Sequence, residues 1–349
     1  MSRSAAQAER TAAARISGVA DELGRLPELG RWIARVQGEV VPAHFRRVRA
    51  VLVETPPPDD ASAVPPTEGE KDGRPTSERS GEHGAGQPVP EPDDAVLDVL
   101  ADRVGVGRRV VDVDVVSGEE PGRDGVLAEL PEEEYRAAYE LGRYVADEEA
   151  DAGTDLLLLG VGRRTREHDL IAATALVSAL LGREPVPLVG TDTARGNPTG
   201  LDDRTWARRV SGVRDMLRRT RVGSAPAPVD LIRLLGGGRV AMLVGLLQQS
   251  VERRTPVVLD GTVGCAAALA ADRLDPDARD WWLAAAAPAE PAGRVALEEL
   301  ELSPLLQLGV RLGTGAGALL AVPLLTATVD AVGALVEASG TARAGARPS

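Results

Sequence analysis

The chain has 349 residues, enough for one large α/β domain or two small ones, and its 43% hydrophobic content with only 2% aromatics implies a core of Ala, Val and Leu. A net charge of −13 argues against general nucleic-acid binding, which needs a basic face to displace counterions. One cysteine, Cys265, and three histidines, His44, His83 and His168, exclude a disulfide scaffold and a Cys/His zinc site.

The N-terminal residues MSRSAAQAERTAAARISG hold no apolar run of signal-peptide length, so the chain reads as cytoplasmic. Ile16, Val19, Leu23, Leu26, Leu29, Trp32, Ile33 and Val36 recur at helical spacing within 16–40, and Val48 to Val53 reads as a strand. From Glu54 to Asp94 there are eleven acidic residues, three basic ones and nine prolines, with almost no large apolar side chain. Such a segment buries too little surface to offset its ordering entropy. The sequence therefore predicts an N-terminal segment 1–53, a disordered insert 54–94, an α/β domain 95–339 and a disordered tail 340–349.

Within that domain a short helix is expected over 95–104, a strand from Arg109 to Val116 and a charged helix from Pro131 to Ala150. Leu156 to Leu159 is an apolar run suited to a strand covered on both faces, ending in Gly160-Val161-Gly162. Ile171 to Leu181 reads as a helix stopped by Gly182, and Val186 to Val189 as a strand ending at Gly190. Helices follow at Asp203 to Arg219, Val229 to Leu235 and Val240 to Arg253, the second running into Gly236-Gly237-Gly238. Pro256 to Leu259 is a buried strand with Asp260-Gly261 as its terminal turn, before an Ala-rich helix from Cys265 to Leu274. The apolar segment Trp281 to Ala287 comes next, and Ser303-Pro304 would cap a short helix from Leu305 to Leu308. A last helix spans Ala318 to Ala338. Leu312 to Val329 carries no charge over 18 residues, but its three glycines, Pro323 and marginal length favour a core helix over a membrane span. Strands alternating with helices predict a doubly wound, mostly parallel sheet with right-handed crossovers.

Ligands of open α/β sheets bind beyond the carboxyl ends of the strands. Gly160, Gly162, Gly190, Gly236, Gly237, Asp260, Gly313 and Gly315 would gather along that edge. Glycine lets backbone N–H groups approach an anion, and helix N-termini add partial positive charge, so the pattern suits a phosphorylated small molecule. The same glycines also serve simply as strand ends and helix caps. Cys265 opens a helix, where a thiol is slightly acidified, or is a small buried residue. His168 stands among Arg163, Arg164 and Arg166, either a phosphate clamp or a solvated loop. Trp281 and Trp282 pack a helix or close an interface, and His83 lies in the insert with no catalytic role.

The order of several blocks carries a resemblance. They are Leu26-Pro-Glu-Leu-Gly-Arg-Trp-Ile-Ala-Arg-Val-Gln-Gly38, the Gly160 turn, Val189-Gly190 with Thr199-Gly-Leu-Asp-Asp203, Leu235-Gly-Gly237, Pro256-Val-Val-Leu-Asp-Gly261 and Ala289-Glu-Pro291. The last is Leu305-Leu-Gln-Leu-Gly-Val-Arg-Leu-Gly-Thr-Gly-Ala-Gly-Ala318. Outside the insert, residues 23 to 335 resemble the nicotinate-nucleotide:dimethylbenzimidazole phosphoribosyltransferase family of cobalamin biosynthesis. The resemblance implies an α/β domain, a small helical subdomain from the chain ends and a homodimer. It also implies a reaction without metal or cofactor, in which nicotinate mononucleotide and a benzimidazole give α-ribazole phosphate and nicotinate. A glutamate in the C-terminal glycine motif would be the general base, and glycine-rich turns would hold the phosphate.

The family's R-L-G-E-G reads Arg311-Leu-Gly-Thr-Gly315 here, so Thr314 stands at the general-base position. A hydroxyl donates or accepts a hydrogen bond but does not hold a proton reversibly near neutral pH. The G-E-M-G-I-G-N-T-T turn has become Gly160-Val-Gly-Arg-Arg-Thr-Arg-Glu-His168, and G-G-x-E has become Gly236-Gly-Gly-Arg239. The H-R-S and G-H around E-P are replaced by Ala286-Ala-Pro288 and Ala292-Gly293, and the D-H-G-V segment expected after Val53 gives way to the insert. Substitute carboxylates are Glu167, Asp169, Asp260 and Glu290, with Asp260 foremost because it ends a buried strand. Two readings follow: a divergent, catalytically impaired phosphoribosyltransferase, or a non-catalytic protein on the same fold that binds a phosphate or nucleotide or pairs with an active homologue.

Overall fold

The computed structural model describes residues 23–54, 92–113, 128–161, 167–190, 202–220, 226–310 and 315–344. Five strands, β1 (Val48–Glu54), β2 (Gly107–Asp112), β3 (Leu156–Val161), β4 (Val257–Leu259) and β5 (Trp282–Ala284), form one parallel sheet in the order β2-β1-β3-β4-β5. The helices in chain order are α1 (Leu26–Gln37), α2 (Pro92–Val104), α3 (Glu132–Asp151), α4 (Glu167–Leu181), α5 (Pro185–Val189) and α6 (Asp203–Arg219). They continue with α7 (Pro228–Leu231), α8 (Gly237–Glu252), α9 (Gly261–Leu274), α10 (Pro291–Glu299) and α11 (Ala316–Ala344).

Side chains alternate across the sheet and both faces are covered, which is why its strands read as continuous apolar runs. Val51, Val53, Leu157, Leu159 and Leu259 face a core shared with α3, α4, α8, α9 and α10. Ala50, Leu52, Leu156, Leu158 and Val258 face the other way, onto α1, α2 and α11. Helices α1 and α11 of this second layer come from the chain ends, as expected, and α2 joins them from between β1 and β2. Helix α11 is long and apolar enough to cross a membrane by length and composition, over Ala316–Glu337. It buries Leu319 and Leu325 in the core beneath the sheet and Val332 against α1, where Gly30 sits so close that an added Cβ would meet Val332 Cγ2 at 2.7 Å.

Four expectations are corrected. Val186 to Val189 is the helix α5, not a strand, because Pro185 suits a first helical turn while Pro185 and Pro187 deny a sheet two ladder donors. Leu305 to Leu308 forms no helix: Leu305 N and Leu306 N each donate at 2.9 Å, to Ala284 O and Ala285 O, and Ala287 N donates to Leu306 O. Pairing with the open edge of β5 outcompetes a single isolated turn, whose nucleation is unfavourable. Helix α9 starts at Gly261, four residues before Cys265, so Cys265 lies inside a helix rather than at its start. The segment from Val229 is α7 followed by a π-turn, Ile232–Gly236, which runs straight into α8.

Boundaries also move. Strand β1 runs through Glu54, α2 begins at Pro92, β2 ends at Asp112 and α11 extends to Ala344. The remainder of the acidic segment, 55–91, and residues 345–349 lie outside the described residues.

Candidate active site

The strand order reverses direction between β1 and β3: β1 leads outward to β2, while β3 leads the other way to β4 and β5. In open parallel sheets the ligand crevice lies at such a point of reversal, beyond the carboxyl ends of the two neighbouring strands. Leu52 pairs with Gly160 and Val53 with Val161 at that point. Gly315, at φ 94°, rests directly on it: an added Cβ would lie 3.2 Å from Leu52 Cδ2 and 3.5 Å from Gly160 Cα. Two of the expected glycines, Gly160 and Gly315, are thus brought together at the switch point. Gly162, Gly313 and Thr314 lie outside the described residues. Gly236 and Gly237 sit where the π-turn meets α8, which runs back to β4, so they too lie at the carboxyl edge. Gly190 closes α5 at φ 88° and does not end a strand.

Asp260 ends β4 with its side chain 4% exposed. Gly317 N–H donates to Oδ2 at 3.0 Å, and the amides of Ala318, Gly261 and Gly315 bond the same carboxylate. The N-termini of α9 and α11 therefore converge on one acid. Burial pushes its carboxyl up to about 6, against the downward pull of those four amides.

The other three expected carboxylates are also engaged. Glu167 accepts Nε and Nη2 of Arg209, both at 2.7 Å. Asp169 accepts Arg239 Nη1 at 2.7 Å, and Arg239 is only 3% exposed. Glu290, which caps α10, accepts the Thr262 hydroxyl at 2.6 Å. The Asp169–Arg239 pair joins the first turn of α4, just beyond β3, to the first turn of α8 beside the Gly236-Gly237 turn.

Other residues resolve differently from the expectation. His168 is buried in the first turn of α4, with Nε2 3.7 Å from Asp169 Oδ1, and so is no part of a solvated loop. Arg163, Arg164, Arg166 and His83 lie outside the described residues. Cys265 is buried, and desolvation, with Asp260 and Glu290 nearby, pushes its thiol up rather than acidifying it. Trp282 is fully buried on the α8–α9 side of the sheet, and Trp281 is half-buried between the two cores.

Two residues escape a reading of the sequence. Arg239 is a cation committed to the interior, and nothing local announces that. Glu54 is the last residue of β1, 6% exposed, at the crevice itself. Its signal is the two-residue alternation Ala50, Leu52, Glu54, hidden because the acidic segment begins at the same residue.

A parallel sheet with a glycine-lined switch point is the architecture of enzymes and binding proteins that take phosphorylated ligands. A family model described as phosphoribosyltransferase matches residues 91–341. The nicotinate-nucleotide–dimethylbenzimidazole phosphoribosyltransferase of Mycobacterium ulcerans (strain Agy99) is 36% identical over 354 aligned residues, spanning 96% of this chain and 90% of the relative. The enzyme of that name from Mycobacterium avium (strain 104) is 38% identical over 331 residues, spanning 90% and 87%. The crystal structure of CobT from Thermus thermophilus superposes with a TM-score of 0.69 at 27% identity, covering 94% of this chain and 96% of that one. The chain belongs to the nicotinate-nucleotide–dimethylbenzimidazole phosphoribosyltransferase family.

Proposed function

We propose that the protein binds a nucleotide of the nicotinate mononucleotide class at the crevice between β1 and β3 and transfers its phosphoribosyl group to a benzimidazole only slowly. In this reading Gly160, Gly162, Gly190, Gly236, Gly237 and Gly313 offer backbone N–H groups to the phosphate, while Asp260 holds the Gly315 amide and fixes the helix ends around them. The benzimidazole nitrogen attacks C1′, the bond from C1′ to the nicotinate nitrogen breaks, and the benzimidazole N–H proton must go to an acceptor.

The observation that carries the reading is the state of the carboxylates. Thr314 occupies the position of the family's base, and Glu167, Asp169, Asp260 and Glu290 are each bonded to another group of the fold. A missing base together with lost recognition groups, at about 2–4 kcal/mol each, lowers turnover by several orders of magnitude.

A second reading makes the chain a non-catalytic nucleotide-binding partner, as a homodimer or with an active homologue. It is favoured by Arg239, a cation where the family turn carries an acid, held inside by Asp169. Nicotinate release from nicotinate mononucleotide with dimethylbenzimidazole tests both. Turnover at least about 100-fold below that of the Mycobacterium avium enzyme, assayed alongside, is expected. Equal rates refute impairment, and no release above the uncatalysed rate favours the second reading. Nicotinate mononucleotide should raise the melting temperature by a few degrees at saturation. A flat titration counts against nucleotide binding altogether.

A further inference from the structure

We infer that the open edge of β2 pairs antiparallel with β2 of a second copy of this chain, joining the two five-stranded sheets into one. The inference uses only the described edge and no property of the crevice, and it gives the homodimer considered above its contact surface. The two edges of the sheet are treated differently. At β5 the chain closes its own edge, with Leu305 N and Leu306 N donating to Ala284 O and Ala285 O. At β2, the other end of the strand order, no such pairing is made among the described residues.

The ladder with β1 shows which backbone groups face out. Val113 N donates to Glu54 O at 2.9 Å, so Val113 and, by alternation, Val111 and Arg109 turn their backbone groups toward β1. Arg108, Val110 and Asp112 therefore turn theirs outward. Val110 stands opposite Leu52, which places the side chains of these three residues on the face that carries α1, α2 and α11. An unpaired strand edge is a template for another strand unless charge repulsion, proline or a covering segment guards it. Residues 107–112 hold no proline. Val110 is 51% exposed, and Val96 and Val99 of α2 and Tyr144 of α3 are exposed as well. These are the helices that β2 binds through its arginines, Arg108 to Asp98 and Arg109 to Glu148. Four of the seven large apolar side chains exposed among the described residues thus belong to β2 and its two partner helices.

The charges select a second copy as the occupant and fix the register. With Val110 opposite Val110 of the second copy, on the two-fold axis, Arg108 faces Asp112 of that copy and Asp112 faces its Arg108. All three outward pairs are then of the hydrogen-bonded type, each exchanging two backbone bonds. Moving the axis to Arg109 sets two arginines against each other, and moving it to Val111 sets Val110 against Asp112. A strand complementary to itself in this way is what an isologous two-fold contact requires.

The test is the oligomeric state of the full-length protein, read by sedimentation equilibrium and by oxidative cross-linking. Wild type should be a dimer at about 50 µM, and Val110→Lys, which faces two cations on the axis, should weaken it at least about 100-fold. Val110→Cys should form a disulfide-linked dimer, because Cα atoms of a hydrogen-bonded antiparallel pair lie about 5.5 Å apart, within disulfide range. The chain's one cysteine, Cys265, is buried and does not compete. Asp112→Cys, about 13 Å from its own counterpart in this register, should not cross-link. A wild-type monomer at that concentration overturns the inference, whatever other chain the edge receives. So does a dimer that Val110→Lys leaves intact and Val110→Cys does not link, since it forms on another face. Equal cross-linking of both cysteine variants reveals collision rather than pairing and overturns it too. If Val110→Lys does not fold, the two cysteine variants decide alone. Turnover and nucleotide binding are not read here, so failure of the dimer and failure of the proposed function are distinguishable.

Discussion

Four backbone amides and a buried environment pull on the Asp260 carboxyl in opposite directions, and burial wins. Its folded value of about 6 lies above the 3.8 of the free side chain. A carboxyl raised by folding binds its proton more tightly in the native state, so its contribution is complete below about pH 4 and is lost as pH climbs through about 6. That displacement corresponds to roughly 3 kcal/mol. Urea unfolding of wild type and Asp260→Asn between about pH 4 and pH 7 should show the wild type losing that much more stability; parallel curves would remove Asp260 as the cause. The neighbouring Gly317 allows no side chain, since an added Cβ would stand 2.5 Å from Asp260 Oδ1 and 2.8 Å from Ala286 Cβ. Gly317→Ala should lower unfolding free energy by about 2–3 kcal/mol, read from the same denaturation midpoints. The acid and the glycine form one unit that fixes where α11 begins, and hence where Gly315 meets Gly160.

Helices α3 and α8 show the same dependence on small residues at the scale of whole elements. An added Cβ on Gly142 would overlap Met242 O and stand 2.7 Å from Leu246 N, both backbone atoms that cannot step aside. Gly142→Ala should therefore lose more than about 3 kcal/mol, whereas Gly333→Ala in α11, with nothing within 4 Å, should gain about 0.5–1 kcal/mol from helix propensity. Equal midpoints for the two variants would show that α3 and α8 relax apart. Strands β3 and β4 are legible in the sequence because Leu156-Leu-Leu-Leu159 and Val257-Val-Leu259 are apolar on both faces and end at glycine or Asp-Gly. Helix α5 is not, because Val186 and Val189 look like a strand unless the two prolines are weighed first. The partnership of Leu305–Leu306 with β5 depends on an edge that exists only after folding. For the same reason Gly160 and Asp260 can be singled out from local pattern. The pairing of Asp169 with Arg239, 70 residues apart, and the burial of Glu54 cannot.

Across the whole molecule, the carboxyl edge of the sheet is tied by polar contacts that each engage the start of at least one helix. Glu167 and Arg209 link α4 to α6, Asp169 and Arg239 link α4 to α8, Thr262 and Glu290 link α9 to α10, and Asp260 links α9 to α11. These ties engage four carboxylates at the carboxyl edge, Glu167, Asp169, Asp260 and Glu290. Removing one partner of a buried pair leaves the other charge short of compensation, whereas removing both leaves an apolar contact. Arg239→Met should thus lose about 3 kcal/mol or more, and Asp169→Leu combined with Arg239→Met should recover most of it. If the double variant is as unstable as the single ones together, the pair is not coupled and the edge is held by packing alone. The same logic bears on restoring activity. Reverting Arg239 to the family's acid would set it against Asp169 and unfold the edge, whereas the ties just named are all made by residues other than Thr314. Thr314→Glu should accordingly leave the melting temperature within a few degrees of wild type while raising nicotinate release by about 30-fold or more. A variant that melts normally but gains no rate would mean that the lost recognition groups, and not the base, set the limit.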